Sequence, residues 1–241
     1  CFKDVVVTED DLKSKTVQRC LQMAPVEAEV ILHDLSMFAD ATSYGTLMRP
    51  KMTLKEVRAF REFLDDRSQI PKDWVLFEES TIGRIEEVLD QIEVLLRTYH
   101  VVIDNPPYLG SSNMDPQLSS WLKENYSDVK SDFFSAFIVR NTELTVEGGF
   151  LGFMSPFVWM FISSYEKLRG FLIDKKTITS LIQLEYSGFA GATVPICTFT
   201  LENLHRLNYR GGYVRLSDFK GADIQGPMAL EIITEARKAR E

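Results

Sequence analysis

The sequence is 241 residues long, 45% hydrophobic and 26% charged, the balance of an ordinary globular protein with room for one substantial core, or a core plus a helical appendage. Its 27 lysines and arginines face 35 acidic residues, a formal net charge of −8, which argues against tight unaided binding to nucleic acid because phosphate neutralisation needs clustered cations. No apolar run reaches the roughly 18 residues that cross a bilayer, and the scattered Cys1, Cys20 and Cys197, like His33, His100 and His205, give neither a zinc site nor a disulfide framework; metal catalysis is not expected, and a reducing, cytoplasmic location is.

The N-terminus, Cys1-Phe2-Lys3-Asp4, is not patterned as a signal peptide. A chain opening on cysteine is expected to be a segment of something longer. The first hundred residues then read as helical. Val30, Ile31, Leu35 and Phe38 recur at helical spacing within 26–38. Thr53-Leu54-Lys55-Glu56 is a capping box that opens a second helix to about Asp65. Ile85, Val88, Leu89, Ile92 and Leu95 stripe a third over 81–98, and 40–50 between the first two is a loop or broken helix.

The pattern changes at His100-Val101-Val102-Ile103-Asp104, a β-branched run that suits a buried parallel strand and stops at two prolines. Helices follow at about 116–124 and after Ser131-Asp132, the latter turning Phe134, Phe137, Ile138 and Leu144 inward; Phe133 and Phe134 read as core. Gly148-Gly149 is read as ending that helical region before a second strand, 150–154. A helix over 163–174 leads to a third strand at 178–184. The loop to the fourth, 195–201, has no room for a crossover helix, so the return is antiparallel. A short strand at 213–216 and a helix at 228–238 close the chain. The expected fold is α/β: a mostly parallel, Rossmann-like sheet with its last strand antiparallel, behind an N-terminal helical region. The expected division is a helical region at 1–98, a catalytic part at 99–205, and a C-terminal extension beginning at 206–241.

Asp104-Asn105-Pro106-Pro107-Tyr108 carries the chemistry. It lies at the carboxyl end of a predicted strand, where α/β sheets place their ligands. The lone pair of an exocyclic purine amine is delocalised into the ring. Two fixed acceptors on its two N–H groups free that lone pair, and the Asn105 side-chain oxygen and the Pro106 carbonyl are such a pair. Pro106 and Pro107 stiffen the loop. The Tyr108 ring can stack on an extruded base. Neither a metal nor a covalent nucleophile is required.

Asn105-Pro106-Pro107-Tyr108 resembles the motif of S-adenosylmethionine-dependent amino-methyltransferases. With 102–111, Lys130–Phe134, Gly148–Pro156 and Trp159–Arg169, and Ala39–Leu47 upstream, the sequence is similar to the large adenine-specific methyltransferases of the phage-exclusion (BREX, PglX-like) type over about residues 35–220. The resemblance implies methyl transfer from S-adenosylmethionine to a flipped adenine of double-stranded DNA, in restriction-modification or phage defence. It makes Asn105, Pro106, Pro107 and Tyr108 catalytic, with Asn105 also touching the cofactor. Phe189, in Gly188-Phe189-Ala190-Gly191-Ala192, becomes a second base-holding aromatic or a core phenylalanine.

The sequence departs from that family in one respect: no glycine-rich turn follows a strand before the motif. The expectation is a chain without its first sheet strands, weak in cofactor binding, completed by preceding and target-recognition segments of the same protein. Its exposed sheet edge would favour oligomerisation. A protein-glutamine or RNA methyltransferase with the same motif, and an inactive fragment, are the alternatives.

Overall fold

A computed structural model describes residues 2–5, 7, 13, 15–66, 79–186 and 194–238. The chain divides into two units, Cys1–Arg97 and Thr98–Glu241. The first is helical: α1 (Lys15–Met23), α2 (Ala28–Met37), the short α3 (Ala41–Tyr44), α4 (Leu54–Asp65) and α5 (Glu79–Leu96). The capping box forms as its sequence predicts. The Thr53 hydroxyl accepts from the Glu56 N–H at 3.2 Å, and the Glu56 carboxylate accepts from the Thr53 N–H at 2.7 Å, so two of the N–H groups that a helix start leaves orphaned are satisfied. The predicted stripes bury Ile31, Leu35, Phe38, Ile85, Val88, Leu89, Ile92 and Leu95, and α4 adds Val57 and Phe60 to the core. Residues 40–50, expected as a loop or broken helix, are α3 flanked by single 3-10 turns. Fully buried Asp34 accepts from the N–H groups of Lys51 and Met52 at 2.8 and 2.9 Å, which pins the chain entering α4.

The second unit is an α/β sheet of β1 (Tyr99–Asp104), β2 (Thr145–Pro156), β3 (Thr177–Gln183), β4 (Ile196–Glu202) and β5 (Gly212–Arg215), in the order β1-β2-β4-β3-β5. β1 pairs parallel with β2, and β5 parallel with β3, while β4 runs antiparallel to both β2 and β3. The antiparallel return from β3 is therefore present, and it folds inward: β4 inserts between β2 and β3, leaving β1 and β5 at the edges. The remaining helices are α6 (Pro116–Asn125), α7 (Phe133–Glu143), α8 (Glu166–Lys175) and α9 (Ala222–Lys238). α9 begins six residues before its sequence prediction, carrying Pro227 inside it.

α7 packs on β2 and α8 on β3. Beneath them Leu151, Phe153, Cys197, Phe199, Leu201 and Leu181 are buried. The opposite sheet face is open, with Ile103 83% and Val101 58% exposed. This corrects the expectation of a buried β1. A β-branched run reports that a strand fits a sheet, whereas burial depends on what covers its faces.

A second correction concerns Gly148-Gly149, which lie inside β2 and do not terminate a helix. Tyr99 faces Thr145 but Val101 faces Phe150, so β2 bulges across from His100, with Gly148 at φ +73°. A Cβ on Gly149 would lie 2.8 Å from the His100 carbonyl oxygen and 2.7 Å from Thr145, whereas one on Gly152 meets nothing nearer than 3.8 Å. Gly149→Ala is therefore expected to destabilise the sheet unit by about 2–3 kcal/mol through backbone displacement, and Gly152→Ala by well under about 1 kcal/mol. Urea denaturation of both variants checks this; equal costs would remove the bulge as the cause.

Candidate active site

The two prolines lack N–H donors, so the ladder between β1 and β2 ends at the Asp104–Phe153 pair and the chain turns away at Asn105. Asn105 and Pro107 are exposed, Pro106 is buried and Tyr108 is half-buried. The Tyr108 hydroxyl donates to the Asn105 Oδ1 at 2.8 Å and lies 3.3 Å from the Met154 carbonyl oxygen at the end of β2. This contact fixes which way the Asn105 amide faces, and Oδ1 retains a second lone pair for an incoming N–H. A cavity of about 400 Å³ opens beside Asn105 on the uncovered sheet face, reaching past Gly152 and Met154 to Thr198 and Thr200.

Two carboxylates flank the motif. Asp104 accepts from the Asn141 side-chain amide of α7 at 2.7 Å. Burial lifts its carboxyl above the ordinary aspartate range, opposed by the Asn141 amide and the Asn105 backbone N–H. Asp132, the N-cap of α7, accepts from the Phe134 N–H at 3.3 Å and from the Leu109 N–H, just after the motif, at 3.2 Å. Burial raises its carboxyl too, against those N–H groups and the Tyr165 hydroxyl. Burial and Asp132 together push the Tyr165 hydroxyl up to about 12. Further bonds stitch the segment after the motif to the start of α7: Phe133 N–H to the Leu109 carbonyl at 2.9 Å and Ser111 N–H to the Ser131 carbonyl at 3.1 Å.

The aromatic residues form a stack behind the motif. Phe134 meets the Tyr108 ring edge-on at 6.5 Å and stacks on Tyr165 at 5.6 Å. Phe133 and Phe134 are both buried, in keeping with their reading as core. Phe189 lies outside the described residues. Asn105 to Tyr108 are thus brought together as one unit. The supporting Asn141, Asp132 and Tyr165 are not recognisable as such from sequence. Asp132 carries an N-cap signal that finds half of its role; Asn141 and Tyr165 carry no local signal of theirs. Among the described residues no cluster of His, Cys, Asp and Glu could hold a metal, and no helix is long and apolar enough to cross a membrane.

Because the folded pKa of Asp104 is raised, its contribution to stability is fully present below the unfolded value and lost as pH rises through the folded one. Asp104→Asn, which cannot ionise, is therefore expected to gain stability relative to the parent as pH rises from about 4 to 7. Urea midpoints across that range test it; parallel pH profiles for the two proteins would refute the burial effect.

The chain is 28% identical over 195 residues to the adenine-specific methyltransferase BrxX of Escherichia coli O9:H4 (strain HS), covering 80% of this chain and 16% of that protein. It is 23% identical over 229 residues to the adenine-specific methyltransferase PglX of Lacticaseibacillus casei (strain Zhang), covering 88% of this chain and 18% of that protein. It therefore spans under a fifth of either relative. Among solved structures, a nuclease-deletion mutant of the Type ISP restriction-modification enzyme LlaGI, in complex with a DNA substrate mimic, superposes with a TM-score of 0.45 at 17% identity, covering 73% of this chain and 21% of that one. The resemblance drawn from the motif and its surroundings is borne out by a family model that matches residues 38–189. The chain belongs to the Eco57I restriction-modification methylase family.

Proposed function

We propose that this chain carries the amine-binding half of a DNA adenine-N6 methyltransferase active in restriction-modification or phage defence. The observation that carries the reading is Asn105: a neutral amide at the carboxyl end of a parallel strand, held by Tyr108, beside an open cavity, within a family of restriction-modification methylases. The relatives named as adenine-specific methyltransferases support adenine as the acceptor. In this reading residues 1–98 are a helical region preceding the motif, 99–205 the catalytic half, and 206–241 the start of an extension toward target recognition.

Asn105 Oδ1 and the Pro106 carbonyl accept the two hydrogens of the adenine amine and direct its lone pair outward. As the amine gains positive character, the same oxygens stabilise it more strongly than they do the ground state, which lowers the barrier. Pro106 and Pro107 keep the acceptors aimed, and Tyr108 offers its ring to the flipped base. S-adenosylmethionine, when bound, supplies the methyl group. The residues here fit its reactive end, where Asn105 stands. Among the described residues no glycine-rich turn joins a strand to a helix, so the residues cradling the rest of it are not assigned. The partners in this reading are duplex DNA with its target adenine extruded, and a further strand against the open edge of β1, from the same protein or from a second copy.

In the full-length gene product, Asn105→Ala is expected to lower adenine methylation about 100- to 1,000-fold while leaving DNA affinity near that of the parent, because the lost acceptor acts in the chemical step. Methyl incorporation into adenine and a gel-shift titration measure the two separately. Comparable turnover by variant and parent would remove Asn105 from the reaction.

A further inference from the structure

The carboxylate of Asp132 is shared between two elements that are far apart in sequence. Toward α7 it caps the helix, accepting from the N–H of Phe134 at 3.3 Å. Toward the motif it accepts from the N–H of Leu109, the residue after Tyr108, at 3.2 Å. The Tyr165 hydroxyl, from the single turn before α8, lies close enough to interact with it electrostatically, and the two groups shift each other's titration. Helix capping alone requires only the first of these contacts. The same region is tied twice more by backbone bonds, Phe133 to Leu109 and Ser111 to Ser131, and Gly110 and Asp132 form an isolated antiparallel bridge. Tyr165 stacks on Phe134, whose edge meets Tyr108. Asp132 thus lies at one end of a short path, through Leu109 and through the Tyr165–Phe134 stack, to the ring and hydroxyl that orient Asn105.

We propose that Asp132 is a positioning residue for the reaction: by holding Leu109 and Phe134 at once, it sets the pose of Tyr108 and, through it, of the Asn105 acceptor. It touches neither the base nor the methyl donor. This inference rests on the amine-binding reading of Asn105. Its prediction is a loss in the chemical step without a matching loss of substrate binding, since displacing an acceptor by about 1 Å can cost on the order of 100-fold in rate.

Asp132→Ser is the discriminating variant. Serine is among the best helix N-caps, so α7 keeps its acceptor, while its hydroxyl, one bond shorter than the Oδ1 that accepts both N–H groups, gives up the contact to Leu109. In the full-length gene product, Asp132→Ser is expected to lower kcat for adenine methylation about 100-fold with KM for DNA within about twofold of the parent. Its urea midpoint should stay near that of the parent, and hydrogen exchange at the Leu109 amide should accelerate. Asp132→Asn, which retains acceptor oxygen at full length, should restore most of the rate. A role in capping alone predicts the opposite: Asp132→Ser close to the parent in kcat. Asn105→Ala, run alongside, separates the two ideas. If Asn105→Ala is inactive while Asp132→Ser turns over within about threefold of the parent, the positioning role is overturned and the amine-binding reading stands. If Asn105→Ala is as active as the parent, the reading itself falls and the positioning role falls with it.

Discussion

The structure of the sheet unit depends on a hydrogen-bonding ladder that is forced to stop. β1 pairs with β2 in parallel through Asp104, and two consecutive prolines then remove the donors that would extend it. A terminated parallel strand leaves a polar chain end beside the end of its neighbour, and here the Met154 carbonyl of β2 meets the Tyr108 hydroxyl. Everything further out, from the amide of Asn105 to the turn at Leu109, inherits its position from that stop. The register in turn depends on the bulge at Gly148-Gly149, which lets Val101 to Asp104 face Phe150 to Phe153 in step.

The elements legible from sequence are those encoded by local chemistry. The capping box at Thr53, the N-cap at Asp132, the stripe over 85–95 and the strand ended by Pro106-Pro107 each need only a few adjacent residues to be recognised. The antiparallel return from β3 to β4 follows from loop length alone. What escapes is set by partners distant in the chain. Glycines are common helix terminators, and Gly148-Gly149 have that local signature; their true role depends on the His100 carbonyl, about fifty residues back. The exposure of Val101 and Ile103 depends on what covers a sheet face, which a β-branched run does not encode. Insertion of β4 between β2 and β3 is likewise a choice among topologies that share the same strands.

The candidate site divides in the same way. Asn105 to Tyr108 are contiguous, so their chemistry can be read as a group. Asn141 reaches Asp104 across 37 positions and Leu109 reaches Asp132 across 23, distances over which no periodicity operates. Asp132 is half-legible because capping is local, and its second contact is not.

Those distant supports matter because of what the motif contains. Asn105 and the Pro106 carbonyl are neutral acceptors, and a neutral hydrogen bond contributes about 1 kcal/mol net where a charged one contributes roughly 1.5–3. A site built from neutral groups cannot compensate for poor geometry with a strong field, so its effect depends on aim. The density of bonds around the loop answers that requirement: Tyr108 on Asn105, Asn141 on Asp104, Asp132 on Leu109 and Phe134, and backbone bonds from Phe133 and Ser111. Both carboxylates near the loop are engaged with N–H donors, Asp132 with those of Leu109 and Phe134, and Asp104, which also lines the cavity, with the Asn141 amide. A carboxylate in the place of Asn105 would accept more strongly, but it would also carry a desolvation cost in each state. An amide avoids that cost, provided the surrounding structure supplies the orientation that a neutral dipole cannot enforce for itself.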